Sequence, residues 1–405
     1  MRAPLVVLLA LACLALAPAL PASGGQPSPA RFESFELPSP LVDPTTPGAE
    51  LENGRTVPKV NVLLPAGYDE HPRRRYPLLW LLHGANGGTD TWVPGIADLA
   101  AGLQAILIMP DGGTFGMYTD WWNDGARGNP AWIPYHLELL RETTESRYRI
   151  RPERRWHAIA GISMGGQGAL RYGALLPGYF GSVVGFSAAM PDMQDEGTEN
   201  GINIIAAATG RDADYETIFG PAADAWAEGH SPKALAPNYR HTRIYVTSGD
   251  GVNCPQDPEG PGIALDTLTE TTINGLQGPF AAAVRAEGAD VTEVTTCGVH
   301  TFGVWDRAFA AARAWGFWKP VPKRPREWVY RTVATEGEMW DLRFRFDEPP
   351  TAIAEFTRSG RTLAATGQGS VVIHGRPGCW VNAELPFELE LPPACRAEST
   401  VGSSR

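Results

Sequence analysis

The sequence predicts an α/β fold, a doubly wound and mainly parallel sheet, followed by a small all-β module. Three observations carry that expectation. From residue 51 to 318, short apolar runs alternate with helix-length stretches, as in parallel strands joined by crossover helices. Residues 319–326, beginning Lys319-Pro320-Val321-Pro322-Lys323, then form a stiff, basic, Pro-rich linker. From 327 to 397 the runs become short and alternate apolar with polar residues, the pattern of antiparallel strands.

The chain opens on Met1-Arg2 and an almost unbroken Leu/Ala/Val run from Leu5 to Leu16, followed by small residues and Pro. That layout marks residues 1–22 as an export signal, cleaved between Ala17 and Ser23 and taking Cys13 with it. The run is shorter than the roughly 20 residues a spanning helix needs. No later stretch is apolar enough either, so the expectation is a secreted or cell-envelope protein without a transmembrane segment. Residues 23–50 are rich in Pro, Ser and Gly, with room for one edge strand.

Strands are expected at 57–64, 78–82, 105–109, 157–161, 182–186, 243–247 and 291–295, with helices at 133–146, 166–176, 265–276 and 278–287. In the module, strands are expected at 328–333, 340–346, 352–357, 370–374 and 387–391, and 398–405 reads as a disordered tail. No internal repeat is visible.

Composition narrows the function. The 405 residues carry 34 Lys+Arg against 45 Asp+Glu, a net charge of −11, which argues against nucleic acid as the main partner. With 43% apolar and only 20% charged residues the chain is not disordered, and it can bury one large core or two smaller ones. After Cys13 four cysteines remain, an even number that suits two disulfides in an oxidising compartment. Four cysteines permit three pairings; Cys254–Cys297 and Cys379–Cys395 each lie within one expected domain. Their spacing does not suit zinc, so no metal is expected.

The strongest chemical signal is Gly161-Ile162-Ser163-Met164-Gly165, directly after an apolar run and directly before a helical one. A serine on a sharp strand-to-helix turn presents its hydroxyl above the sheet edge, and the next N–H, from Met164, faces a developing oxyanion. Such a hydroxyl needs a base and a carboxylate. His300, in the loop after the last expected strand, fits the base; His241 and His374 read as surface or structural residues. For the acid, Asp250 ends a strand, while Asp257, Glu259, Asp266 and Glu270 rival it on spacing. The loop Leu82-His83-Gly84-Ala85-Asn86-Gly87-Gly88 suits a second oxyanion donor, Ala85, with His83 as a structural neighbour. Tyr118-Thr119-Asp120-Trp121-Trp122-Asn123 offers aromatic and polar groups that either line a substrate pocket or plug the core.

Together with Met109-Pro110-Asp111-Gly112-Gly113 and Val299-His300-Thr301-Phe302, these pieces resemble, in order over about 55–315, the esterase family of α/β-hydrolases. That family includes S-formylglutathione hydrolases, feruloyl esterases and secreted mycolyltransferases, and the mycolyltransferase branch is nearest in outline. The resemblance implies an α/β-hydrolase fold and a triad of Ser163, His300 and Glu270, with Ala85 and Met164 as oxyanion donors. Substrate contacts are expected from Asn86, Asp120, Trp121, Trp122 and Phe302. That branch's Asp-Gly-Leu-Arg piece is here His83-Gly84-Ala85-Asn86, which removes its charged sugar contacts and leaves the acyl-ester chemistry.

The function expected is therefore a secreted serine esterase that needs no cofactor. Its partner is a small acyl ester, free or carried on a glycolipid or polysaccharide. The alternatives are acyl transfer to an envelope sugar, and a non-catalytic polysaccharide-binding protein. Acyl length, acceptor and oligomeric state stay open.

Overall fold

The computed structural model describes residues 28–189, 192–211, 213–257 and 262–395. The expected signal at 1–22 with Cys13, the first residues of the 23–50 segment, Glu259 and the tail at 398–405 lie outside the described residues. Among the described residues no helix is long and apolar enough to cross a membrane.

Among the described residues, ten strands precede His300: β1 (Arg31–Glu36), β2 (Lys59–Leu64), β3 (Leu78–Leu82), β4 (Ile106–Pro110), β5 (Asp120–Trp121), β6 (Gly128–Ala131), β7 (His157–Ile162), β8 (Ser182–Phe186), β9 (Arg243–Gly249) and β10 (Asp290–Thr296). β5 and β6 pair as a separate short ribbon. The other eight form one sheet in the order β1-β2-β4-β3-β7-β8-β9-β10. β1 and β2 join antiparallel at one edge, and every pair from β4 to β10 is parallel.

The central strands read as continuous apolar runs because both of their faces are covered. In β3, Leu78, Trp80 and Leu82 enter one core while Leu79 and Leu81 enter the other, the alternation a pleated strand imposes. The edge strands β1 and β10 are mostly exposed or half-buried.

Two helical expectations need correction. The stretches at 265–276 and 278–287 are one helix, Ala264–Ala286, with Pro279 inside it. Gly278-Pro279 reads as a break because Pro lacks an N–H. The buried stripe Glu270, Ile273, Gln277, Phe280, Ala281 and Val284 runs through it, however, and packing carries the helix past the proline. The last helix of this part spans Phe302–Trp315, directly after the His300 loop.

Among the described residues beyond the linker lie eight strands rather than five: β11 (Glu327–Thr332), β12 (Glu336–Met339), β13 (Leu342–Phe346), β14 (Ala354–Ser359), β15 (Thr362–Thr366), β16 (Ser370–His374), β17 (Trp380–Glu384) and β18 (Phe387–Glu390). They form two four-stranded antiparallel sheets, β11-β14-β15-β18 and β12-β13-β16-β17, around a shared core including Trp328, Phe344, Phe356 and Ile373. β12, for example, buries only Met339, too little apolar pattern to read from sequence. Cys379 is bonded to Cys395. The module is tied to the helix Met164–Leu175, where Tyr330 Oη donates to Leu175 O at 3.0 Å. At the same junction Arg331 N–H donates to Asn238 Oδ1 at 2.7 Å.

Candidate active site

Ser163 follows β7 directly and opens the helix Met164–Leu175 with φ 52° and ψ −119°, a region L-residues rarely enter. Two glycines make room for that bend. A Cβ on Gly165 would stand 2.4 Å from Leu82 O, and one on Gly161 would stand 2.1 Å from Gly165 O. The turn is held by Ser163 N–H donating to Phe186 O at 2.9 Å, which ties it to the neighbouring strand.

Above this edge three side chains form a line. Ser163 Oγ lies 2.8 Å from His300 Nε2, and His300 Nδ1 lies 2.6 Å from Glu270 Oε2. Glu270 projects from the helix Ala264–Ala286 and is wholly buried. Its other oxygen, Oε1, accepts from Ser187 Oγ at 2.7 Å and from the N–H of Gly249. An ionised carboxylate only accepts, so His300 Nδ1 donates to it. That fixes Nε2 as the acceptor for the Ser163 hydroxyl.

The rival carboxylates among the described residues are occupied elsewhere. Asp250 accepts from the N–H groups of Val252 at 2.9 Å and Gly298 at 3.2 Å, shaping the loop rather than meeting His300. Asp257 pairs with Arg307. Asp266 caps its own helix through Ile263 N–H at 2.9 Å. The His300 loop is braced by the Cys254–Cys297 disulfide and by Trp305, whose ring stands edge-on at 5.1 Å from His300.

The loop after β3 passes beside Ser163, since a Cβ on Gly84 would come within 3.4 Å of Ser163 Cβ. Asn86 N–H donates to Thr114 O at 2.7 Å and Gly87 N–H to Gly84 O at 3.2 Å, turn bonds in which Ala85 N–H takes no part. Met164 N–H sits in the first helical turn, where intrahelical acceptors are lacking.

His83 is buried and anchors this loop. Its Nε2 accepts from Gly112 N–H at 2.9 Å, so Nδ1 carries the proton and donates to Gly84 O at 2.9 Å. Burial lowers its pKa to about 4, which keeps the ring neutral. Tyr118 Oη accepts from His83 N–H at 2.9 Å and donates to His83 O at 3.1 Å.

Several expected contacts are not brought to this line. Trp121 is a core residue, 1% exposed, with its indole N–H on Gly116 O at 3.1 Å, and it plugs the fold because its ring finds a buried acceptor there. Trp122 packs against Trp226, with Arg127 over its ring. Asp120 accepts from Ile133 N–H at 2.9 Å and borders a cavity of about 560 Å³ beside the C-terminal sheets. None of Ser163, His300 or Glu270 contributes to that cavity. Asn86 stays on the Ala85 loop with its Oδ1 accepting from Arg211 at 3.0 Å. Phe302, 40% exposed, packs edge-on against Trp305 at 4.9 Å.

Sequence reasoning missed Ser187 and Trp305. Ser187 follows the last residue of β8 at the carboxyl edge of the sheet, where ligand-facing groups gather in open α/β folds, and that position was the available signal.

The family model described as Putative esterase matches residues 54–315, the whole of the large sheet from β2 onward. The chain belongs to this esterase family. Esterase Rv1288 of Mycobacterium tuberculosis is 32% identical over 255 residues, 60% of this chain and 53% of that one. The MPT51/MPB51 antigen of the same organism is 26% identical over 254 residues, 60% and 75% of the two chains. This family member thus spans about half the length of the first of these curated relatives. The solved structure of Mycobacterium tuberculosis MPT51 covers 71% of this chain and 99% of its own, with a TM-score of 0.55 at 21% identity, a likeness of fold.

Proposed function

We propose that the chain is an exported serine esterase that splits carboxylic esters through an acyl-enzyme. The observation that carries this reading is the unbroken hydrogen-bonded line Ser163–His300–Glu270 at 2.8 and 2.6 Å. His300 Nε2 takes the hydroxyl proton as Ser163 Oγ forms its bond to the ester carbonyl carbon. The imidazolium is held by Glu270, and the oxyanion lies against the N–H groups of Ala85 and Met164. Collapse breaks the ester C–O bond, and His300 gives its proton to the departing alcohol. Water then repeats the sequence on the acyl-enzyme and frees the acid. One oxyanion donor in such sites is worth roughly 10²–10³ in rate.

Export is part of the reading. It rests on the signal-like first 22 residues, on two disulfides that suit an oxidising compartment, and on the antigen relatives.

The test is fluorophosphonate labelling with p-nitrophenyl ester hydrolysis. Expected are one label, on the peptide holding Ser163, and loss of both label and turnover in Ser163→Ala. A label on another peptide, or none on the folded protein, overturns the proposal.

A second reading is acyl transfer to an alcohol instead of water. The chain is 28% identical over 221 residues to a Mycobacterium ulcerans protein described as diacylglycerol acyltransferase/mycolyltransferase Ag85A. Added sugar or glycerolipid acceptors that divert product from free acid favour this reading; unchanged acid release favours hydrolysis.

A further inference from the structure

Ser187 pairs a backbone cost with a fully used side chain. It has φ 43°, in the left-handed region that favours glycine, yet it is a serine and is wholly buried. Its N–H donates to Thr247 O at 2.7 Å, which holds the backbone in place. Its hydroxyl stands between two groups of fixed polarity. Trp305 Nε1–H, which can only donate, reaches Ser187 Oγ at 3.1 Å, while Ser187 Oγ lies 2.7 Å from Glu270 Oε1. The indole fills an acceptor site on the oxygen, so the hydroxyl proton points to the carboxylate.

We infer that Ser187 is a positioning residue for the acid of the site, oriented in turn by Trp305. With Gly249 N–H it holds Glu270 Oε1, so that the carboxylate cannot rotate and Oε2 stays on His300 Nδ1. Trp305 braces the line twice, through this hydroxyl and through its ring edge against His300 at 5.1 Å. The strained backbone has a reason on this account: glycine would suit the conformation but would deprive Glu270 of a charge-assisted hydrogen bond. The inference rests on the esterase reading of Ser163, His300 and Glu270.

The test uses the full chain with Ser187→Gly, Ser187→Ala, Trp305→Phe and the double variant S187G/W305F. Tm, kcat and KM are measured on a p-nitrophenyl ester, with fluorophosphonate labelling of the wild type alongside. Ser187→Gly should hold or raise Tm while kcat falls about 10- to 100-fold at unchanged KM, the worth of one hydrogen bond to a charged group. Ser187→Ala should lose both Tm and kcat, because it keeps the strain without the bond. Trp305→Phe should lower kcat several-fold, and the double variant should be no slower than Ser187→Gly, since the two residues act in series. Wild-type kcat in Ser187→Gly, or losses that multiply in the double variant, overturns the positioning role alone. An unlabelled wild type overturns the esterase reading together with it.

Discussion

Glu270 reaches His300 at 2.6 Å from a helix, whereas Asp250, at the strand end where many related folds keep their acid, accepts from the backbone N–H groups of Val252 in its own loop and Gly298 in the His300 loop. On the proposed esterase reading, the acid lies on the helix after β9 rather than at the end of that strand. Glu270→Gln should therefore cost about 10³–10⁴ in kcat/KM, the scale seen when a triad carboxylate becomes an amide. Asp250→Asn should cost less than about tenfold, since its side-chain oxygen can still accept. Progress curves on one p-nitrophenyl ester separate the two, and equal or reversed losses would show that Glu270 is not the acid.

The two disulfides should separate activity from stability. Cys254–Cys297 closes 43 residues and ends three residues before His300, so it restrains the loop that carries His300. Cys379–Cys395 closes 16 residues inside the C-terminal sheets. Chain-entropy arithmetic gives about 4 kcal/mol for the first and about 3 kcal/mol for the second. Replacing both cysteines of the first pair by serine should lower Tm and kcat together; the same change in the second should lower Tm and leave kcat within about twofold. Equal kcat losses in the two variants would contradict this assignment.

How much of this was legible in the sequence follows from what each feature depends on. Ser163 sits in a local pattern, two glycines and a strand-to-helix turn, and local patterns survive in one dimension. His300 needed only its place after the last strand. Glu270 was one of five carboxylates on spacing, because what selects it is a distance across the sheet edge. Trp121 and Trp122 were ambiguous since an aromatic ring suits a pocket wall and a core equally; the buried acceptor at Gly116 O decided Trp121. Ser187 was invisible for a related reason: nothing around it in sequence reveals that Trp305 and Glu270 meet its hydroxyl.

The turn at Ser163 should tolerate no side chain at its glycines. Gly161→Ala and Gly165→Ala would each drive a Cβ to within 2.4 Å or less of a backbone oxygen, and backbone cannot swing aside as a side chain does. Each should cost about 3 kcal/mol or more and abolish labelling of Ser163. Gly275, exposed within the helix Ala264–Ala286, has nothing within 4 Å of its would-be Cβ. Gly275→Ala should stabilise by about 1 kcal/mol without changing kcat. Urea unfolding of the three variants measures the contrast.

Acid should unfold this protein through its buried imidazoles. Burial lowers the pKa of His83 and His157 to about 4, and of His136 and His230 to about 3, against roughly 6.5 in an unfolded chain. Between those values the unfolded state binds more protons at all four, so their contribution is neutral above about pH 6.5 and unfavourable below it. Two buried carboxyls act in the opposite sense. Asp111 is raised to about 6 and Asp120 to about 7, so the folded state binds their protons first as pH falls from 7 toward 4. Four sites against two leave a net uptake of about two protons on unfolding near pH 5, a slope of about 3 kcal/mol per pH unit. Stability from urea titrations should be nearly level above pH 7 and fall steeply between pH 6 and 4.5. A flat profile through that interval would mean that the four rings are not neutral and buried together in the folded state.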